Sequence, residues 1–159
     1  MLQSFNYWLT GHGWAEVFFS GELQETRFEF SYLSDPLTEL IDSVLELIEH
    51  HKDESKVDFF DEPGHYQLRM KIVAIGQVQI EVSVSPENEG VGNTLNEMEF
   101  SNLIFKDSDT LIHFCSTIYS GIVDLRNRHS ESDYFEKWIN YPFPTEKLKL
   151  FELAISNMK

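Results

Sequence analysis

Cysteine is nearly absent from this chain: Cys115 stands alone, so no intrachain disulfide can form. Basic residues are scarce too, 12 Lys and Arg against 27 Asp and Glu, for a formal charge of −15. Binding to phosphate backbones requires clustered Lys and Arg, so direct contact with DNA or RNA is not expected. No apolar run approaches the roughly 20 residues that a membrane-spanning helix needs. The opening "MLQSFNYWLTGHGWAE" also lacks a basic start followed by a long apolar stretch, so the expected compartment is the cytoplasm. Recognisable chemistry is missing as well. There is no G-x-G-x-x-G, P-loop or G-x-S-x-G, which removes the familiar phosphate cradles and hydrolase elbows. The six histidines fall into no zinc-type spacing, and no metal or cofactor is expected.

Aromatic residues are plentiful, with 13 Phe, 6 Tyr and 3 Trp spread along the length. That distribution predicts a single globular domain over residues 1–159 with one continuous core. The charge is uneven. Up to Glu62 there are 14 acids against Arg27, Lys52 and Lys56, a local charge of −11, and the rest of the chain carries only −4.

Periodicity supplies the elements. Phe28 and Phe30 alternate with Arg27 and Glu29, the period of a half-buried strand. "SDP" opens a helix, with Asp35 placed to cap it and Pro36 at the first helical position, where a missing N–H costs nothing. Leu37, Leu40, Ile41, Val44, Leu47 and Ile48 form its apolar stripe. Tyr66, Leu68, Met70 and Ile72, then Val78, Ile80, Val82 and Val84, predict two strands of a hairpin. Pro86 to Asn96 reads as a loop, and "EMEFSNLIF" as a strand whose alternation slips near Asn102, as at a bulge. A second helix is expected from about Asp107–Asp109 to Asn127, a short one around Tyr134–Ile139, and a last one from Thr145. Strands and helices do not alternate strictly, so the expected class is α+β, a mainly antiparallel sheet with helices packed on one face.

The polar side of the first helix carries Glu39, Asp42, Glu46 and Glu49 at spacings of 3, 4 and 3, with no Lys or Arg among them. Like charges so spaced repel by about 0.2–0.5 kcal/mol per pair in an isolated helix. Asp53, Asp61 and Glu62 extend the acidic run. The expected role for Asp42, Glu46, Glu49, Asp53, Asp61 and Glu62 is contact with a basic protein, whose approach such charge accelerates. The alternative is a small enzyme with a His/carboxylate or metal site at Asp61, Glu62 and His65. Cys115, two positions from His113 on a helix, reads as a core cysteine. Trp14 and Trp138 are expected to pack in the core.

"GWAEV", "SYLSDPLTELIDSVLEL", "FFDEPGHYQLRM" and "YPFP" resemble a family of small acidic bacterial proteins. Its pattern is a G-W-A start, S-Y-L-S-D before a helix, D-E-P-G-x-Y at a turn and a terminal P-F-P. Some of its members resemble immunity proteins of contact-dependent growth inhibition and other polymorphic toxin systems. The resemblance implies a non-enzymatic cytoplasmic protein that neutralises a cognate toxin domain, often a basic nuclease, by stoichiometric occlusion. It transfers no catalytic group to any numbered position.

Overall fold

A computed structural model of the chain describes residues 1–61, 64–85 and 102–159. Three strands, β1 (Ser4–Gly11), β2 (Trp14–Ser20) and β3 (Glu25–Ser31), come first, followed by helix α1 (Pro36–Ile48). Four more strands follow: β4 (Glu54–Asp61), β5 (Gly64–Ala74), β6 (Gln77–Val84) and β7 (Asn102–Thr110). Helices α2 (Leu111–Arg128), α3 (Glu131–Lys137) and α4 (Thr145–Met158) complete the order. The architecture is α+β and every strand pair is antiparallel. The strands form two sheets, β1-β2-β3 and β4-β5-β6-β7.

The two sheets meet along β3 and β4, where the Ser31 hydroxyl donates to the Phe60 carbonyl at 3.2 Å. Aromatic rings bridge the seam. Phe28 and Phe30 meet Phe59 edge-on at 5.2 and 4.9 Å, Phe28 stacks on Tyr66 at 4.2 Å, and Phe19 reaches Phe105 at 5.9 Å. These contacts join both sheets and the helices in one apolar cluster. Helix α2 packs on β1, α1 on β4, and α4 against α1 and α2. Close approach of α2 to β1 depends on Gly121, where a Cβ would collide with the Phe5 carbonyl oxygen.

The α1 stripe behaves as its spacing requires: Leu37, Leu40, Ile41, Val44 and Leu47 are fully buried and Ile48 is partly so. Asp35 occupies the N-cap without capping a backbone N–H; it accepts instead from the Thr38 hydroxyl at 2.6 Å. The slip in the last strand is a bulge. Phe105 faces Val82 and Leu103 faces Ser83, leaving Ile104 as the extra residue. The expected Pro86–Asn96 loop and the start of that strand lie outside the described residues.

Two expectations need correction. Residues Asp107–Asp109 are strand, not helix: they pair with Ile80, Gln79 and Val78, and α2 begins at Leu111 with Thr110 as its cap. Asp107 and Asp109 are held in the ladder by the Met1 amino group and the Leu2 N–H, at 2.8 and 3.0 Å. Asp and Ser residues favour helix starts locally, but here partners more than a hundred residues away decide. Trp14 is 40% exposed, because burial of Ala15, Val17 and Phe19 turns it to the other face of β2. Trp138, by contrast, is wholly buried.

Candidate partner-binding surface

On α1 the acidic stripe exists, but three of its four carboxylates have partners. Both Asp42 carboxylate oxygens take hydrogen bonds from Lys147 of α4, each at 2.6 Å. Glu46 is 3.0 Å from Lys52, and Glu49 is 3.3 Å from His51. The inference that these carboxylates lack partners is therefore overturned. Helical spacing reveals only neighbours three and four residues apart on the same helix. Lys147 arrives from another helix 105 residues on. Lys52 and His51 arrive because the chain doubles back: His50 takes a positive φ of 57°, and the His51 and Lys52 N–H groups donate to the Glu46 carbonyl. All these pairs are solvent-exposed to a third or more, so each is worth about 0–1 kcal/mol and exchanges readily for a stronger cation.

Unneutralised negative charge lies instead at two places, the β3–β4 seam and the start of α1. Asp61 ends β4, and its carboxyl is pushed up first by partial burial and then by Glu29 of β3. Glu29 faces Glu16 across the β2–β3 ladder. Glu39, near the start of α1, is raised by desolvation of its carboxyl and then by the charge of Asp58, with Asp35 and Asp42 adding to it. Among the described residues, Glu29, Glu39 and Asp61 have no Lys, Arg or His within ion-pair distance. Asp53 is exposed and its backbone carbonyl accepts from the Ile72 N–H. Glu62 lies outside the described residues. Of the expected contact residues, Asp61 alone joins this seam. Glu29 was not singled out, because strand register, which sets it beside other acids, is invisible in periodicity.

Of the expected His/carboxylate site, Glu62 lies outside the described residues, and the carboxylate seen on His65 among the described residues is that of Asp58. The His65 Nε2 lies 2.9 Å from Asp58 Oδ1, and its ring stacks on Phe60 at 4.5 Å. Gln67 donates to the same Asp58 oxygen at 2.9 Å. Register explains the choice: His65 faces Phe60 across the β4–β5 ladder, which puts Asp58 diagonally beside it on the same face. The His65 hydrogen bond is the main cause holding the Asp58 carboxyl below its ordinary range. Among the described residues no group of three or more His, Cys, Asp or Glu is arranged to hold a metal ion. Cys115 is fully buried and its thiol is pushed up to about 12 by burial, whereas a nucleophilic cysteine needs the opposite shift.

The exposed face of the second sheet holds a different pattern. Arg69 grips Glu54 through two nitrogens at 2.9 Å each and approaches Glu81, which Lys106 also reaches at 3.3 Å. Cations and carboxylates alternate there across the strands and offset one another. No helix among the described residues is long and apolar enough to cross a membrane. Comparison with family models, with curated proteins and with solved structures gives no match.

Proposed function

We propose that this chain is a non-enzymatic binding protein that occludes a basic partner, in the manner of an immunity protein blocking a nuclease-type toxin. The supporting observation is the carboxylates Asp61 and Glu39, each raised first by burial and then by acidic neighbours, Glu29 for Asp61 and Asp58 for Glu39, and each without an ion-paired cation among the described residues. A Lys or Arg brought by a partner relieves that repulsion, and the net charge of −15 draws such a partner from a distance. In this reading Glu29 and Asp61 at the β3–β4 seam, with Glu39 at the start of α1, make the first contact. Asp42, Glu46, Glu49 and Asp53 flank it, exchanging weak internal pairs for the partner's cations, with Glu62 adjoining in sequence. The protein acts in the cytoplasm and meets neither nucleic acid nor membrane directly.

The test is co-purification with the product of a neighbouring toxin gene, together with protection of cells that express it. Reversal of Glu29, Glu39 and Asp61 to Lys is expected to abolish co-purification and protection while leaving the fold intact by circular dichroism. Full protection by the reversed protein overturns the surface. One equivalent of tightly held zinc or manganese in the purified protein would favour the enzyme reading instead.

A further inference from the structure

Helices α1 and α4 pack side by side, tied near their starts by the Asp42–Lys147 bridge. Beyond that bridge they do not close on each other. An open groove of about 480 Å³ lies between them, lined by Leu45 and Ile48 of α1 and by Leu150, Leu153, Ala154 and Met158 of α4. Glu49 is the one acid among the described lining residues, and no Lys or Arg joins it. Leu150 and Leu153, three residues apart on one face of α4, are 57% and 58% exposed. Single exposed leucines are ordinary, but two at helical spacing on an apolar groove make a contiguous patch.

Charge decides what can cover this patch. The chain carries −15, so a second copy is repelled by much of the surface. Helix α4 is different: Glu146 and Glu152 are matched by Lys147 and Lys149, which leaves the helix neutral. A basic partner is drawn to the acids elsewhere and gains nothing from a neutral helix, whereas a second copy meets there a face that does not repel it. The patch is also self-complementary. Projecting leucines and a groove that can take them lie on the same face of one molecule, as an isologous two-fold contact requires.

Size sets the strength of such a contact. The two helices have 13 and 14 residues. Each is ~20 Å long and, at an axial separation of about 8–10 Å, the pair presents a face of roughly 400 Å². A standard stable interface takes about 800 Å² from each partner, so this face supports a weak, concentration-dependent association.

We propose that the chain forms a weak two-fold dimer through the α1–α4 groove, with Leu150 and Leu153 of each copy filling the groove of the other. The dimer is independent of the binding role argued above, since neither Glu29 nor Asp61 lines the groove.

Sedimentation velocity of the full chain, from about 10 µM to about 1 mM, provides the test. The sedimentation coefficient is expected to climb from the monomer value toward the dimer value with concentration. Raising NaCl from about 50 mM to about 500 mM should strengthen association, because salt screens the repulsion between two chains of charge −15 and leaves apolar burial in place. That sign is opposite to the one expected for acids meeting a basic partner. Leu153→Glu should weaken dimerisation at least tenfold with circular dichroism unchanged, since the leucine is largely in solvent in the monomer. Leu153→Ala, a strong helix former, should weaken it severalfold and keeps the test decisive should the charged variant misfold. Leu23→Glu, at an almost fully exposed leucine between β2 and β3, should change nothing and controls for general apolar adhesion. A monomer at every concentration, a dimer indifferent to both Leu153 variants, or one weakened by salt or equally by Leu23→Glu, overturns the proposal.

Discussion

The carboxylates on the second half of α1 and those at the β3–β4 seam and the start of α1 carry the same charge but meet different surroundings. Asp42 and Glu46 each have a Lys within 3.0 Å, from α4 and from the turn that ends α1, and Glu49 has the His51 ring at 3.3 Å. Glu29, Glu39 and Asp61 have other acids for neighbours, and burial compounds the repulsion at Asp61 and Glu39. The first group helps hold the molecule together, if weakly. The second is a standing electrostatic cost within the fold that an external cation would remove. A charge count treats the two alike; the distinction comes from what folding brings beside each carboxylate.

Association kinetics separate the groups most sharply. Reversing Glu29 and Asp61 to Lys should slow association with the basic partner by ~10-fold or more at low salt, with the difference fading as salt rises. Reversing Glu46 and Glu49 should slow it less, because in the proposed reading these residues flank the first contact and already hold partners of their own. Equal effects from the two reversals, measured by stopped flow at two ionic strengths, would erase the distinction.

Asp58 provides the next contrast, since it lies three residues before Asp61 on the same strand and shifts the opposite way. His65 and Gln67 both hydrogen-bond it, and its folded pKa is depressed. A depressed carboxylate stabilises the fold above its unfolded pKa, and that contribution is lost as pH falls through the folded value. Asp58→Asn should therefore cost about 1 kcal/mol at pH 7, the usual worth of a charged hydrogen bond discounted for partial exposure. The deficit should begin to narrow as pH falls below the unfolded value of about 4 and close only below the depressed folded one. Urea midpoints at pH 7 and pH 3 report it directly.

Weaker still is the pair between α1 and α4. A double-mutant cycle on Asp42→Ala and Lys147→Ala should return a coupling of about 0.2–1 kcal/mol, as exposed ion pairs do. A coupling well above that range would mean α1 is pinned to α4 through its acids, which would weigh against their exchange with a partner.

Much of the scaffold could be read in advance because its determinants are local. The α1 stripe, the β5–β6 alternation and the Pro36 start each depend on residues within a few turns of one another. What could not be read depended on distant partners. The strand at Asp107–Asp109 is fixed by the amino terminus, Lys147 reaches Asp42 across 105 residues, and His65 is drawn to Asp58 by register. The acids of α1 were found, but their pairing was not.

Asp61→Asn carries the smallest effect, and its sign is the most diagnostic. Partial burial first, and Glu29 second, raise the Asp61 carboxyl. A group whose folded pKa is raised binds its proton more tightly in the native state. Its stabilising contribution is complete below the unfolded pKa and disappears as pH rises through the folded one, so ionised Asp61 at pH 7 is a burden. Replacing it with neutral Asn should raise stability at pH 7 by a few tenths of a kcal/mol, the scale of an exposed like-charge contact. The advantage should narrow as pH falls through the raised pKa and vanish below about pH 4, where wild-type Asp61 is itself neutral. As pH rises, Asp58→Asn loses relative stability between the depressed pKa of Asp58 and the unfolded value, and Asp61→Asn gains it between the unfolded value and the raised pKa of Asp61, although the two sites are on one strand. Should Asp61→Asn destabilise at pH 7 as Asp58→Asn does, Asp61 has a cation after all, and the seam loses its reason to seek one elsewhere.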